Sequence, residues 1–334
     1  MPGKTHRIGP SLIETARIFA TEEACHEYLQ VARWPEGVRC LKCDHDNTSK
    51  FRIPGKTRLN KKGIVKTGPD RFMYQCLKCR YQFSTTTGTI FSDTHLPLSK
   101  WMLAVAITCN AKKSVSAKQM ERDMGVSYKT AWFLNHRIRK AMDTPEGLFS
   151  GIVEVDATFV GGKYDERRAR AKYDKQAVAG VMQRTTEGQH SKVVARIVKR
   201  EIATEMKAVI KAHVATGTNV MTDDHKAYLA LSRDGWKHEI VAHTKDEWVR
   251  GNVHTQGIES FWSLFKRGVI GSFHSVSVKH LDRYLSEFCF RFNSRRDEQI
   301  FAAVITGLVI KSALRYKVLT GPTDAEMDAL EVSE

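Results

Sequence analysis

A small cysteine-rich module, a helical hairpin and a larger mixed α/β domain are predicted, in that order, along the 334-residue chain. Three observations predict them. Two identical Cys-Leu-Lys-Cys segments stand at 40–43 and 76–79. A helical pattern after Pro97 runs to Met142 and is interrupted at Gly125. Beyond Gly147, Val/Ile-rich alternating segments exchange with segments of helical spacing, an order that builds a sheet covered by helices.

The elements follow from local pattern. Residues 11–35 read as a helical lead-in with Leu12, Ile13, Ala16, Ile18 and Phe19 as its apolar side. The basic stretch from Arg39 to Gly88 holds β-prone pieces at Arg71–Tyr74 and Tyr81–Phe83. Thr144-Pro145-Glu146-Gly147 marks a boundary. Strands are expected at Gly151–Val160, Ala177–Gln183, Lys192–Val198, Thr218–Thr222 and His238–Ala242. A helix is expected at Glu201–Val214, and helix dominates from Ile258 onward. Residues 163–175 read as a charged loop and the segment after Gly321 as an acidic tail. The expected organisation is thus a lead-in (1–35), a cysteine module (36–92), a helix-turn-helix region (97–143), an α/β domain (150–312) and a tail (313–334).

Charge points to the partner. The chain carries 53 Lys+Arg against 37 Asp+Glu, a net of +16. Residues 1–150 hold +12 of that excess and the remainder +4. A strongly basic first half fits a polyanion, with nucleic acid the leading class. The start is polar and basic, and the longest apolar runs, Trp101–Cys109 and Ile300–Ile310, fall well short of the ~20 residues of a membrane span. A cytoplasmic location is expected, where seven cysteines do not read as a disulfide framework.

Two Cys-x-x-Cys pairs present four thiolates to one tetrahedral zinc ion. Cys40, Cys43, Cys76 and Cys79 are therefore the expected ligands of a closed, structural Zn²⁺ site. The 32 residues between the pairs exceed the usual spacer, and an inserted hairpin accounts for them. The spacer carries Lys50, Arg52, Lys56, Arg58, Lys61, Lys62, Lys66 and Arg71, suited to phosphate contacts. Cys25, Cys109 and Cys289 are expected to be buried apolar fillers.

Ser116–Met124, Gly125-Val126-Ser127 and Tyr128–Ile138 read as helix, tight turn, helix, with Ser127 as N-cap of the second. Ala131, Phe133, Leu134 and Ile138 supply its apolar face. Tyr128, Lys129 and Thr130 would reach a groove, and His136, Arg137, Arg139 and Lys140 would meet phosphate. An ordinary helical hairpin with a solvated basic face is the alternative.

Acidic residues in the α/β domain are placed for other work. In Val153–Val160, Glu154, Asp156 and Thr158 share one strand face, opposite Val153, Val155 and Ala157. An acid inside an apolar strand is costly unless it is paired or holds a metal, so Asp156 is a candidate ligand and Glu154 its same-face rival. At Val220–His225 an apolar strand ends in Asp223 and Asp224. Ligands gather at carboxyl ends of strands in α/β sheets. Asp223 is preferred because Asp224 suits the N-cap of a following helix. Glu259 and Lys266, seven residues apart, share a helix face, which taken alone reads as an ordinary solvated face. His254 reads equally as a neighbour of that site and as a structural residue.

Together these segments resemble a known family. VEVDATFVGGK, VMTDDHKAY and HTQGIESFWSLFKR look like motifs of the DDE transposases of bacterial insertion sequences, in particular the ISXO-like group. The two knuckles, YQFSTTTGTIF, SYKTAWFLNHRIRKAM and KHLDRYLSEFCFRFNSR extend the resemblance from about residue 20 to 310. It implies a ribonuclease-H-like catalytic domain in which Asp156, Asp223 and Glu259 form an acidic triad and Lys266 contacts DNA. It further implies two Mg²⁺ (or Mn²⁺) ions, activating water or a 3′-hydroxyl for donor-strand cleavage and strand transfer. The implied partner is double-stranded DNA, both terminal repeats and target, met as a homo-oligomer in the nucleoid of a bacterial cell. A DNA-binding regulator and a domesticated transposase that no longer cuts are the alternatives.

Overall fold

A computed structural model describes residues 10–59, 63, 65–68, 70–143, 146–161, 175–185 and 190–321. Thr144-Pro145, most of the 163–175 loop, Lys61, Lys62, the Lys66 side chain and the acidic tail lie outside the described residues. The chain divides into two compact units. One comprises the residues up to Ala111, Ala117–Ala141 and those from Asp297; the other Lys112–Ser116 and Met142–Arg296.

In the first unit the lead-in is helical, as α1 (Leu12–Ile18) and α2 (Glu22–Arg33). Ser11 and Glu14 cap α1 reciprocally, and Thr21 Oγ1 caps α2. The cysteine module is a three-stranded antiparallel sheet of β1 (Thr48–Ile53), β4 (Arg71–Cys76) and β5 (Gln82–Phe83), in the order β1-β4-β5. Between β1 and β4 stands a separate hairpin, β2 (Thr57–Leu59) with β3 (Val65–Thr67), which accounts for the long spacer. Tyr74, Phe83, Trp34 and Tyr81 pack beneath the knuckles, with Tyr74 stacked on Phe83 at 5.6 Å.

Pro97 opens α3 (Leu98–Asn110) without a side-chain cap of its own. Glu22 of α2 supplies one, accepting from the Leu98 and Ser99 N–H groups. α4 (Ala117–Met124) and α5 (Tyr128–Ala141) form the predicted hairpin around Gly125, whose φ of +57° suits a residue without Cβ. The Thr130 N–H donates to Ser127 Oγ, the expected N-cap bond.

Two expectations are corrected here. His136, Arg137 and Arg139 are buried, so they do not form a phosphate-facing surface. Arg137 donates to the Ser92 carbonyl at 2.5 Å and lies over the Trp101 and Phe133 rings, while His136 packs on Trp132. Burial of the long apolar stem of arginine beside aromatic rings outweighs its charge in placing it. The exposed polar start of α5, Tyr128–Thr130, remains. In addition, α9 (Ile300–Ile310), assigned above to the α/β domain, belongs to the first unit. It is apolar nearly all round and packs on α2, α3 and α5, and its Gly307 sits where a Cβ would meet the Ala141 carbonyl oxygen at 2.3 Å. The short α10 (Tyr316–Thr320) ends this unit.

The second unit is built on five strands: β6 (Ile152–Val160), β7 (Gln176–Gln183), β8 (Lys192–Val198), β9 (Asn219–Asp223) and β10 (Lys237–Val241). Their order is β10-β9-β6-β7-β8. β6, β7 and β8 form an antiparallel meander, whereas β9 runs parallel to β6 and β10 parallel to β9. The crossover from β8 to β9 carries α6 (Ala203–His213). Helices cover both faces. Val153, Val155, Ala179 and Val181 meet Met206 and Ile210 of α6 on one side. On the other, Val178, Met182 and Val193 meet Ile258, Phe261, Trp262 and Phe265 of α7 (Gln256–Gly268) and Leu285 and Phe288 of α8 (Val278–Asn293). Cys25, Cys109 and Cys289 are buried, as expected of small apolar fillers. Among the described residues no helix is long and apolar enough to cross a membrane.

Candidate active site and metal-binding knuckles

The two knuckles have matching local geometry. In each, the residue after the second cysteine has positive φ, Asp44 at 56° and Arg80 at 61°. Each of those residues returns an N–H to the carbonyl of the first cysteine, at 2.9 and 3.0 Å. This turn aims both thiols of a pair the same way. The Sγ atoms of Cys40 and Cys79, and of Cys43 and Cys76, are 3.6 Å apart. Among the described residues, these four form the one group of three or more metal-binding side chains whose ligand atoms all lie within 4.8 Å of one another. The Cys79 N–H beside Cys76 draws that thiol down to about 7, toward the thiolate that binds metal.

The carboxylates of the second unit are arranged by strand register. β6 and β9 pair from Ile152 opposite Asn219 to Glu154 opposite Met221. Continuing that register by two residues sets Asp156 beside Asp223, where β9 ends. Parallel neighbours in register direct their side chains to the same face. Asp156 is partly buried, and its Oδ1 accepts the Ala157 N–H at 2.8 Å. Burial first, then the Asp223 charge, then Glu259 and Glu201 more weakly, push its carboxyl up to about 7. Asp223 Oδ1 accepts the His225 N–H at 3.2 Å.

Asp224 does not cap the following helical turn, which corrects the expectation above. His225 caps it, through its own ring nitrogen to the Ala227 N–H. Asp224 instead accepts from the Thr244 N–H at 3.3 Å and from the Thr244 hydroxyl, which holds its carboxyl below the usual range. It is thus engaged structurally, while Asp223 accepts the backbone N–H of His225.

Glu154, the same-face rival of Asp156, has a different environment. It is 1% exposed. Its Oε1 accepts from Arg184 Nε at 2.6 Å, and its Oε2 from the Ile258 N–H at 2.8 Å. Arg184 extends the tie by donating to the Asn252 and His254 carbonyls at 2.5 and 2.6 Å. The first turn of α7 is thereby pinned to β6 by a charge at its N-terminus, where the helix dipole favours an anion. Gly257 makes room, since a Cβ there would stand 2.8 Å from Glu154 Oε2. Gly180, the partner of Asp156 on β7, likewise admits Trp262, which a Cβ would meet at 2.4 Å. His254 lies 3.6 Å from Glu154 through Nδ1 and so belongs to this tie.

Glu259 sits in the first turn of α7, one turn beyond Thr255, whose hydroxyl donates to its Oε1 at 2.6 Å. His243 Nε2 stands 3.9 Å from the same oxygen. Asp223 and Glu259 both act electrostatically on Asp156, but the oxygens of the three do not all come within 4.8 Å. Lys266 is exposed on α7 on the face of Glu259, about 10 Å farther along the axis. The sequence pattern gave no sign of two further residues near the trio. Glu201, just ahead of α6, lies 3.2 Å from His225 Nδ1, and burial raises its carboxyl. His243 follows β10. Glu201 stands outside any strand or helix and His243 opens a single 3-10 turn, where residue periodicity says nothing of direction.

Comparison with known proteins agrees with this division. Residues 148–293 match the ISXO2-like transposase domain, and residues 20–82 match the transposase zinc-ribbon domain. A protein of transposable element ISH50 from Halobacterium salinarum is 29% identical over 293 residues, covering 82% of this chain and 92% of its own length.

Proposed function

We propose that this chain, which carries an ISXO2-like transposase domain behind a transposase zinc ribbon, cuts the DNA ends of an insertion sequence and joins them to target DNA. The observation that carries the reading is the register that sets Asp156, midway along β6, beside Asp223, where its parallel neighbour β9 ends. There burial and mutual repulsion push Asp156 up to about 7. A site that crowds unneutralised carboxylates is fitted to a divalent cation, whose charge offsets the repulsion. Asp156, Asp223 and Glu259 offer only oxygen donors, the set that Mg²⁺ or Mn²⁺ prefers. When bound, such ions supply Lewis-acid activation of water or a 3′-hydroxyl and stabilise the leaving oxygen.

Each residue has a defined part. Asp156, midway along the central strand β6, and Asp223, at the end of β9, hold the charge. Glu259 faces them from α7, oriented by Thr255, with the helix itself fixed by Glu154 and Arg184. Lys266 lies in reach of a phosphate farther along the same face. The strand order with three antiparallel and two parallel strands and α6 in the crossover supports a ribonuclease-H-like fold for this unit. The four cysteines support a structural Zn²⁺ that holds a basic module against DNA, and the exposed start of α5 supports a helix-turn-helix contact.

The test is Mg²⁺-dependent cleavage of duplex DNA from the element's own ends. Asp156→Asn and Asp223→Asn are expected to lower cleavage and strand transfer by at least a thousandfold, on the order of four or more kcal/mol of barrier, with DNA affinity unchanged. Full activity in either variant refutes the assignment. Binding without cleavage by the unaltered chain favours a regulator or a domesticated copy instead.

A further inference from the structure

The segment between β10 and α7 presents an exposed indole beside the carboxylates. Trp248 is 56% exposed. Large aromatic side chains are seldom left so open in a folded domain unless something covers them in use. The segment around it is firmly built. Ala242 O accepts the N–H groups of Lys245 and Glu247 at 2.9 and 3.1 Å, and Glu247 Oε2 accepts the Ala242 N–H at 3.2 Å. Asp246 makes the turn with φ +57°, and Arg250 Nη2 donates to the Ile240 carbonyl at 3.0 Å.

Two ties bind this segment to the candidate site. Thr244 is held by Asp224, the neighbour of Asp223. His243 stands between Trp248 and Glu259: its ring meets the indole edge to face at 4.5 Å, and its Nε2 lies 3.9 Å from Glu259 Oε1. Trp248 is therefore one imidazole away from a candidate metal ligand. Lys245 and Arg250 flank it and are exposed, and of the nearby acids Glu247 is engaged internally and by Arg250.

We propose that Trp248 is a stacking platform for a DNA base next to the phosphate that the carboxylates act on. The proposal rests on the transposase reading above. Within a duplex both faces of a base are covered by its neighbours, so an indole stacks only on a terminal or everted base. Cutting at an element end produces such a base. Once the strand is broken, the nucleotide at the break loses a stacking neighbour and frays at low cost. Stacking on Trp248 holds that end beside Glu259, while Lys245 and Arg250 neutralise the flanking phosphates. A platform so close to the reacting phosphate positions the substrate without touching the metal. His243 then sets the distance between indole and carboxylate.

The experiment uses the full chain and duplex oligonucleotides of the element end, supplied already cut at the break. 2-Aminopurine replaces, in turn, each base within three positions of the cut, and fluorescence is read on binding in Ca²⁺. One position is expected to change its signal with the unaltered chain and with Trp248→Phe, and to keep its duplex signal with Trp248→Ala. Joining of the already cut end to target DNA in Mg²⁺ should fall roughly 5- to 150-fold in Trp248→Ala, the range of one base–aromatic stack, and be restored by Trp248→Phe. Thermal melting should not move, because the side chain is exposed. Unchanged 2-aminopurine signals and unchanged joining of the cut end in Trp248→Ala overturn the proposal. So does loss of self-association with DNA signals intact, which assigns the indole to an interface between copies. Absence of cleavage by the unaltered chain counts against the transposase reading, while the fluorescence readout still decides the platform.

Discussion

Replacing Glu154 should unfasten α7 from the sheet. The carboxylate is 1% exposed and joins Arg184, itself only 16% exposed, to the Ile258 N–H. Glu154→Ala strands a largely buried guanidinium and an unpaired helix N-terminal N–H. Breaking such a pair from one side costs about 3–5 kcal/mol. Glu154→Gln keeps the shape and an acceptor but loses the charge, and should cost about 1.5–3 kcal/mol. For a unit of this size each kcal/mol lowers the melting temperature by about 2–4 °C, so Glu154→Ala should melt about 6–20 °C earlier. Differential scanning calorimetry of the full chain measures this. A second substitution sharpens it. Gly257→Ala should destabilise the native chain, because its Cβ would stand 2.8 Å from Glu154 Oε2, and should cost less once Glu154 is alanine. A melting temperature for Glu154→Ala within a degree of the unaltered chain would refute the tie. Additive costs for the pair would refute the contact with Gly257.

Other consequences follow from single features. Removing metal with a chelator, or changing Cys40, Cys43, Cys76 and Cys79 to Ser, should release one zinc per chain and unfold residues 39–88; unchanged metal content in the Ser variant refutes the site. Burial first, then Lys50, push the His26 ring down to about 4, below its ordinary 6.5, where it meets Thr85 Oγ1 at 2.7 Å. The folded ring resists protonation that the unfolded chain accepts, so its contribution is present above pH 6.5 and is lost, by about 2–3 kcal/mol, as pH falls toward 4. Urea melts of His26→Gln at pH 7 and 4.5 check this, and an equal acid loss in both proteins refutes it. Asp156, raised to about 7, must lose its proton to hold a cation. Apparent Mg²⁺ affinity should therefore fall by about tenfold per pH unit below 7, and isothermal titration with no dependence on pH between 6 and 8 sinks that linkage.

Much of this was readable from residue order. The cysteine spacing announced a hairpin between the knuckles, and β2 and β3 form one. Periodicity marks the five strands of the second unit to within a residue but not β1, because alternation of apolar and polar side chains is a local property of a pleated backbone. The same alternation put Glu154 and Asp156 on one face but could not separate them. That choice depends on Arg184 and the start of α7, distant in sequence, closing over one acid and leaving the other toward Asp223. The charge pattern of α5 misled for a related reason. Charge alone marks an arginine as a surface residue, yet Arg137 is buried between Trp101 and Phe133, which come from elsewhere in the first unit and from the helix itself.

By itself, the sequence determined the order of elements, the four-cysteine knuckles and the three acids worth watching, since each is written in neighbouring residues. Only the tertiary structure decided which acid is tied to Arg184 and the start of α7, that His225 rather than Asp224 caps the turn, and that His243 stands between Trp248 and Glu259. Those outcomes turn on burial and on the partner each group finds across the fold, and neither is a property of a residue and its neighbours in the chain.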